Sequence, residues 1–188
     1  PFTDLCTEHV LVMQYIDGIP ISHTRELIDD GYSLNEIGTK LVDNYAAQIL
    51  DAGFFHADPH PGNIEIRGGK IILLDLGMTG RLDARTRVAL KQMLFAVAKQ
   101  NSADLADALL RFAGTDVERA DYPSLLGDLD GIVEEFGTVD LADLDLAAFI
   151  TSLTQMARRH GIEIPSSVTT VGRALVTLEG LLDEFIPN

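Results

Sequence analysis

Ile64-Glu65-Ile66-Arg67 and Lys70-Ile71-Ile72-Leu73-Leu74 flank Gly68-Gly69, and this short stretch constrains the fold more than any other. Two β-branched runs joined by two glycines read as a tight hairpin, because the favoured two-residue turns need positive φ at their central positions. A hairpin brings the residues just outside its two strands together. Here those residues are Asn63 and Asp75, two oxygen-bearing side chains, with the loop His56-Ala57-Asp58-Pro59-His60-Pro61-Gly62 running into the first of them.

The spacing H-x-D-x-x-x-x-N followed by D-x-G is one by which phosphoryl-transfer sites arrange a base or orienting carboxylate and two magnesium ligands. Magnesium prefers oxygen donors and keeps waters while bridging phosphates, so Asn63 and Asp75 would suffice as its protein ligands. Asp58 would then face the acceptor as base or orienter. Pro59 and Pro61 stiffen the loop, and Gly62 and Gly77 fit close backbone turns beside the ligands. Asp58 and Asn63 are also ordinary turn formers, but that reading leaves Asp75 at the end of an apolar strand without a reason. His56, Asp58 and His60 spell H-x-D-x-H, which suits a transition metal; we weigh this below the phosphoryl-transfer reading. His56 is expected to brace the loop and His60 to contact a phosphate or a carboxylate.

The rest of the chain reads as a setting for this motif. His9 to Tyr15 is short, apolar and β-branched and stops at Asp17-Gly18, which predicts a buried strand. A short helix follows Ser22 and ends at Gly31. Ser33-Leu34-Asn35-Glu36 then predicts a capping box in which serine and glutamate each satisfy an end amide. The helix it opens buries Leu34, Ile37, Leu41, Tyr45 and Ile49 and stops at Gly53. Downstream, helices are expected over Asp83 to Gln100, Ser102 to Phe112, Pro123 to Phe136, Asp145 to His160 and Ser166 to Leu182, with Gly114, Gly137 and Gly161 as stops. Arg158, Arg159 and His160 suit a helix C-terminus electrostatically. The stripe Val168, Val171, Leu175, Leu178 and Leu182 is assigned to the core.

With 188 residues, 46% of them hydrophobic, the chain suffices for one domain over 1–188. Its 29 acidic against 14 basic residues give a net charge of −15, which argues against nucleic acid as a partner and against simple attraction to anionic lipid. The acids between Asp116 and Asp145 read as a solvated face, not a metal cage. A single cysteine, Cys6, allows no intrachain disulfide and fits a cytoplasmic setting. No run of the roughly 18 apolar residues that a membrane span needs is present.

The chain resembles the UbiB/AarF family of atypical kinase-like proteins. The resemblance rests on Val10 to Gly18, on Gly53 to Asn63, on Leu74 to Met78 and, more weakly, on Gly172 to Gly180. It implies an α+β, mostly helical, protein-kinase-like large lobe with a few short strands. It further implies ATP and Mg2+ as cofactors, Gln14, Tyr15 and Ile16 as a hinge beside adenine, Asp58 as the catalytic-loop carboxylate and Asn63 and Asp75 as metal ligands. ATP hydrolysis or small-molecule phosphoryl transfer in ubiquinone or other prenyl-quinone metabolism would follow, peripheral to a membrane, with a lipid or quinone precursor as partner. Gln14 departs from the usual glutamate and Leu76 from the common phenylalanine. No lysine precedes Lys40, and the family's Lys-x-Gly-Gln element and Ala-rich nucleotide loop are not among these residues. The chain is therefore expected to correspond to the large lobe alone, to bind ATP weakly and turn over little by itself, and to expose a surface that favours self-association. Aminoglycoside and choline kinase-like phosphotransferases carry a similar motif, usually with Asp-Leu where this chain has Asp58-Pro59. A non-catalytic pseudokinase interaction domain is the third reading. Only Gly77 to Leu82 separate the Asp75 motif from the next helix, too little to seat a peptide substrate.

Overall fold

The computed structural model describes residues 1–113, 121–139 and 144–186. Seven α-helices and five short strands are present among them: β1 (Ile19–Pro20), α1 (Thr24–Asp29), α2 (Leu34–Ala46), β2 (Phe54–His56), β3 (Ile64–Arg67), β4 (Lys70–Leu73), β5 (Thr79–Arg81), α3 (Ala84–Ala98), α4 (Ser102–Ala113), α5 (Tyr122–Phe136), α6 (Leu146–Arg159) and α7 (Ser166–Phe185). The fold is mostly helical with two small antiparallel sheets, one in the order β1-β3-β4 and one pairing β2 with β5.

The hairpin forms as its glycines dictate. Gly68 and Gly69 take φ of 56° and 72°, and the register pairs Arg67 with Lys70 and Ile64 with Leu73. Ile64 and Ile66 are buried, so the hairpin lies with one face on the core, as period-two alternation requires. The helix α2 presents Ile37, Leu41 and Tyr45 to that core and continues into a π-helical turn over Ala47–Ala52, which buries Ile49 and ends at Gly53 with φ of 66°. Val168, Val171, Leu175 and Leu178 are buried along α7 and Leu182 is half-buried, so the expected stripe is core.

Two expectations fail. His9 to Tyr15 is not a strand: Val10, Leu11, Met13 and Tyr15 are exposed, Tyr15 by 83%. Its main-chain bonds come from its own preceding turn, Phe2 N to Val12 O and Thr7 N to Val10 O. An apolar β-branched run becomes a buried strand only when a neighbouring strand completes its ladder and a layer covers its face, and no described strand lies beside this one. The capping box is half made. Ser33 accepts the Glu36 amide at 3.4 Å, but the Glu36 carboxylate turns to Lys40 at 2.6 Å, one turn along the same helix, where charge pairing replaces the reciprocal cap.

The downstream helices fall where their periodicity puts them, α7 running three residues further than expected. Arg159 and His160 both reach Asp128 on α5, at 3.6 and 2.9 Å, which gives the C-terminal turn of α6 a structural anchor. Asp121, Asp130, Glu134, Glu135 and Asp145 are exposed, as a solvated acidic face requires. Gly114, Asp116, Glu118, Arg119, Asp140 and Asp143 lie outside the described residues. No helix among the described residues is long and apolar enough to cross a membrane.

Candidate phosphoryl-transfer site

The loop from Ala57 to Asn63 is held at both ends by main-chain bonds. At its start β2 pairs with β5, His56 opposite Thr79, and the Ala57 amide continues the ladder to Met78 O at 2.9 Å. At its end the Leu74 amide reaches Asn63 O at 2.8 Å, one step beyond the last hairpin pair. Between these anchors Asp58 O accepts the His60 amide at 2.8 Å and the Asn63 side-chain amide at 3.2 Å. The His60 ring accepts the Gly62 amide at 3.1 Å through Nδ1 and caps the short 3-10 turn that contains Asn63.

His56 ties this loop to the Asp75 side of the site. Its ring is buried to 2% exposure. Nδ1 accepts the Asp58 amide at 3.2 Å, so the proton sits on Nε2, which donates to Leu74 O at 2.8 Å. Its main-chain amide donates to Gln48 Oε1 at 2.9 Å, out of the π-helical turn, a rare conformation that recurs at functional sites. Both ring nitrogens are thus committed, and among the described residues no three His, Cys, Asp or Glu side chains gather as metal ligands. The H-x-D-x-H alternative has no vacant His56 nitrogen to work with.

Asp75 stands two residues past the end of β4, exposed, with φ of 51°. Left-handed backbone in a residue other than glycine is uncommon and concentrates at functional sites, although aspartate tolerates it better than most. Its Oδ1 accepts the Gly77 amide at 3.1 Å, which stabilises the bend and leaves Oδ2 without a partner among the described residues. The Asn63 carboxamide spends its NH2 on Asp58 O, and its Oδ1 likewise has no partner among the described residues. Two uncommitted oxygens at the open end of one hairpin, on a carboxylate and an amide, are the donor set that a hard divalent cation takes. The residues present fit magnesium.

Gln14 and Tyr15 are exposed and Ile16 is half-buried on the unpaired segment before β1. A cavity of about 580 Å³ opens beside Asp58, lined also by Ala57, Met78 and residues of α6 and α7, and Gln14, Tyr15 and Ile16 do not line it. Hydrogen bonds join His56, Asp58, His60, Gly62 and Asn63 in one loop and fasten it to Leu74, next to Asp75 and its Gly77 turn; of these residues Asp58 alone lines the cavity.

Sequence reasoning placed Tyr45 in the core and passed over Gln48. Tyr45 is fully buried, and its hydroxyl has no hydrogen-bond partner among the described residues. Burial, and then the nearby Asp58 charge, push its phenol well above the ordinary tyrosine range. The one legible signal for both residues was position: they sit on the helix that leads into the loop. Arg158 and Arg173, which line the cavity, also went unassigned to the site.

A mostly helical molecule that presents such a loop from two small sheets is of the kinase-like class. The chain belongs to the ABC1 atypical kinase-like family, whose profile matches residues 2–109, while that of the UbiB helical domain matches 129–188. It is 29% identical over its whole length to an uncharacterized protein of the hydrogenase 1 5′ region of Clostridium pasteurianum, spanning 36% of that protein. Over 95% of the chain it is 30% identical to an uncharacterized protein of Synechocystis, spanning 45% of it. It is 29% identical along its full length to the chloroplastic protein ACTIVITY OF BC1 COMPLEX KINASE 1 of Arabidopsis thaliana, spanning 27% of that protein. The chain thus covers less than half the length of each of these relatives.

Proposed function

We propose that this chain is the kinase-like large lobe of a UbiB-type ATPase or small-molecule phosphotransferase that uses Mg-ATP. The observation that carries the reading is how the Asp58 main chain is held: its amide donates to His56, whose ring bonds Leu74 O, and its carbonyl accepts the Asn63 side-chain amide, so the loop bearing the Asp58 carboxylate is fastened beside Asn63 and the strand end that leads to Asp75. Asn63 Oδ1 and the Asp75 carboxylate would hold magnesium, which when bound neutralises phosphate charge. Asp58 orients the attacking water or hydroxyl and takes its proton as the new P–O bond forms and the bond to the ADP oxygen breaks. His56 keeps the loop in register, and the Gly62 and Gly77 amides hold the two turns.

The exposed Gln14 and Tyr15 offer adenine no walled slot in this chain, so nucleotide affinity is weak and resides mainly in the phosphates. The setting we assign is prenyl-quinone or lipid metabolism, for which the match to the UbiB helical domain over 129–188 speaks, and we place it in the cytoplasm, peripheral to a membrane. One domain over 1–188 is part of the same reading, since the buried side chains of both matched regions join one cluster.

Calorimetric titration of the chain with ATP, with magnesium and with a chelator, tests this. Weak, magnesium-dependent binding that disappears in Asp75→Asn is expected. Affinity unaffected by magnesium and by Asp75→Asn would overturn the site, and micromolar affinity would overturn the inferred weakness.

A further inference from the structure

We propose that the cavity between the Asp58 loop and the facing sides of α6 and α7 binds the anionic group of a small acceptor molecule, a phosphate or carboxylate on an apolar body, through Arg158 and Arg173. This deepens the phosphoryl-transfer reading and rests on it for the word acceptor. The cavity's size of about 580 Å³ is that of a small-molecule site, typically about 300–1,000 Å³. It continues past Thr154, Arg158 and Thr169 toward Gly161 to Ile164, so a ligand has room for a body as well as a head.

Both helices turn a polar stripe to it. Along α6, Thr151, Thr154, Gln155 and Arg158 recur at three- and four-residue steps, and along α7 Thr169, Arg173 and Thr177 do the same. Ile150 and Val176 supply apolar wall between them. Gln155, Arg158, Arg173 and Thr177 are exposed, so these polar faces line an open groove that a solute reaches directly.

Charge narrows the ligand. In a chain with 29 acidic and 14 basic residues, two arginines line this cavity, with the Asp58 carboxylate at its loop side and Glu163 on its extension. Arg159, next in sequence, is spent on Asp128, whereas neither Arg158 nor Arg173 is in an ion pair among the described residues. Guanidinium groups offer a planar fork that matches phosphate or carboxylate in two parallel bonds. The net charge of −15 repels anions at long range, so recognition has to come from such a local pair. An anion anchored there sets the ligand's other end, with a hydroxyl, against the Asp58 carboxylate.

The test is amide NMR of the chain without nucleotide, titrated with phenyl phosphate, with short-chain phosphatidic acid and with the neutral benzyl alcohol. Shifts centred on Thr154, Arg158, Gly172 and Arg173 with the anions and not with the alcohol support the site; whichever anion binds tighter tells a free ligand from a lipid headgroup. The double variant Arg158→Gln, Arg173→Gln should weaken binding at least about tenfold, as loss of charged hydrogen bonds does, and Arg159→Gln should leave it unchanged. No shifts with either anion, equal binding by the double variant, or displacement of phenyl phosphate by Mg-ATP would each overturn the proposal. Because nucleotide is absent from the first titrations, anion binding in a chain that fails to bind Mg-ATP would retain the site and remove the phosphoryl-transfer reading, and the converse result would remove the site alone.

Discussion

The Asn63 side-chain amide donates to the Asp58 main-chain carbonyl at 3.2 Å. This contact decides which end of Asn63 is free, since its nitrogen is consumed by the loop and its oxygen is left at the hairpin mouth. Asn63→Asp keeps an oxygen toward the mouth but sets an acceptor against an acceptor. We expect it to cost about 1 kcal/mol of stability in urea unfolding, the scale of one lost hydrogen bond, because the Asp58 carbonyl keeps the His60 amide. Asn63→Ala should cost a similar amount and also abolish magnesium-dependent ATP binding. Stability equal to the parent chain in both variants would show that the contact does not organise the loop.

His56 joins Asp58 to Leu74, and its replacement should be felt on both sides. In His56→Leu the Asp58 amide and the Leu74 carbonyl lose their partners together, with the Gln48 contact to the main chain retained. A loss of about 2–4 kcal/mol is expected, two unsatisfied polar groups at about 1–2 kcal/mol each. Hydrogen exchange reads the same event locally: the Asp58 amide should exchange faster than the Ala57 amide, which keeps its bond to Met78 O. Uniform acceleration along the loop would mean that His56 contributes packing alone.

The buried hydroxyl of Tyr45 points to a different outcome. With no hydrogen-bond partner it contributes desolvation cost and nothing in return, so Tyr45→Phe should be neutral or stabilising by about 1 kcal/mol near pH 7. Its pH dependence has a definite sign. The unfolded phenol ionises near 10.0, whereas burial and the Asp58 charge keep the folded one neutral to higher pH. A folded pKa above the unfolded one gives stability that is full below pH 10.0 and is lost as pH rises beyond it. Tyr45→Phe should flatten that alkaline limb in thermal melts, and an unaltered limb would assign it to other groups.

Much of this was legible in advance, for reasons that differ by element. Gly68-Gly69 encode the turn locally, so hairpin, register and the meeting of Asn63 with the Asp58 loop follow from a dozen residues. The helices α3 to α7 follow from apolar period and from caps such as Asp83 and Asp145, whose carboxylates accept the Thr86 and Ala148 amides. The segment His9 to Tyr15 was misread because strand formation depends on a neighbour, which composition does not encode. Arg158 and Arg173 were missed because their meaning is a distance across the fold: each looks like an ordinary helix cation until α6 and α7 are packed beside Asp58.

Glu179, on the exposed side of α7, gives the last test. Its carboxyl is raised above the ordinary 4.5 first by partial burial and then by Asp145 and Asp183. The folded chain therefore binds this proton more tightly than the unfolded one, and the resulting stabilisation is complete below about pH 4.5 and lost as pH rises through the folded value. At neutral pH the ionised group opposes folding, so Glu179→Gln should stabilise. Solvent screening at a site this open limits the gain to about 0.5 kcal/mol, seen as a small rise in Tm at pH 7 that vanishes near pH 3. Asp83 runs the opposite way. The Thr86 amide lowers its pKa, so its contribution is lost as pH falls, and Asp83→Asn should weaken the chain at pH 7 and converge with the parent in acid. If both variants shifted Tm in the same direction at pH 7, the electrostatic assignment of one of them would be wrong.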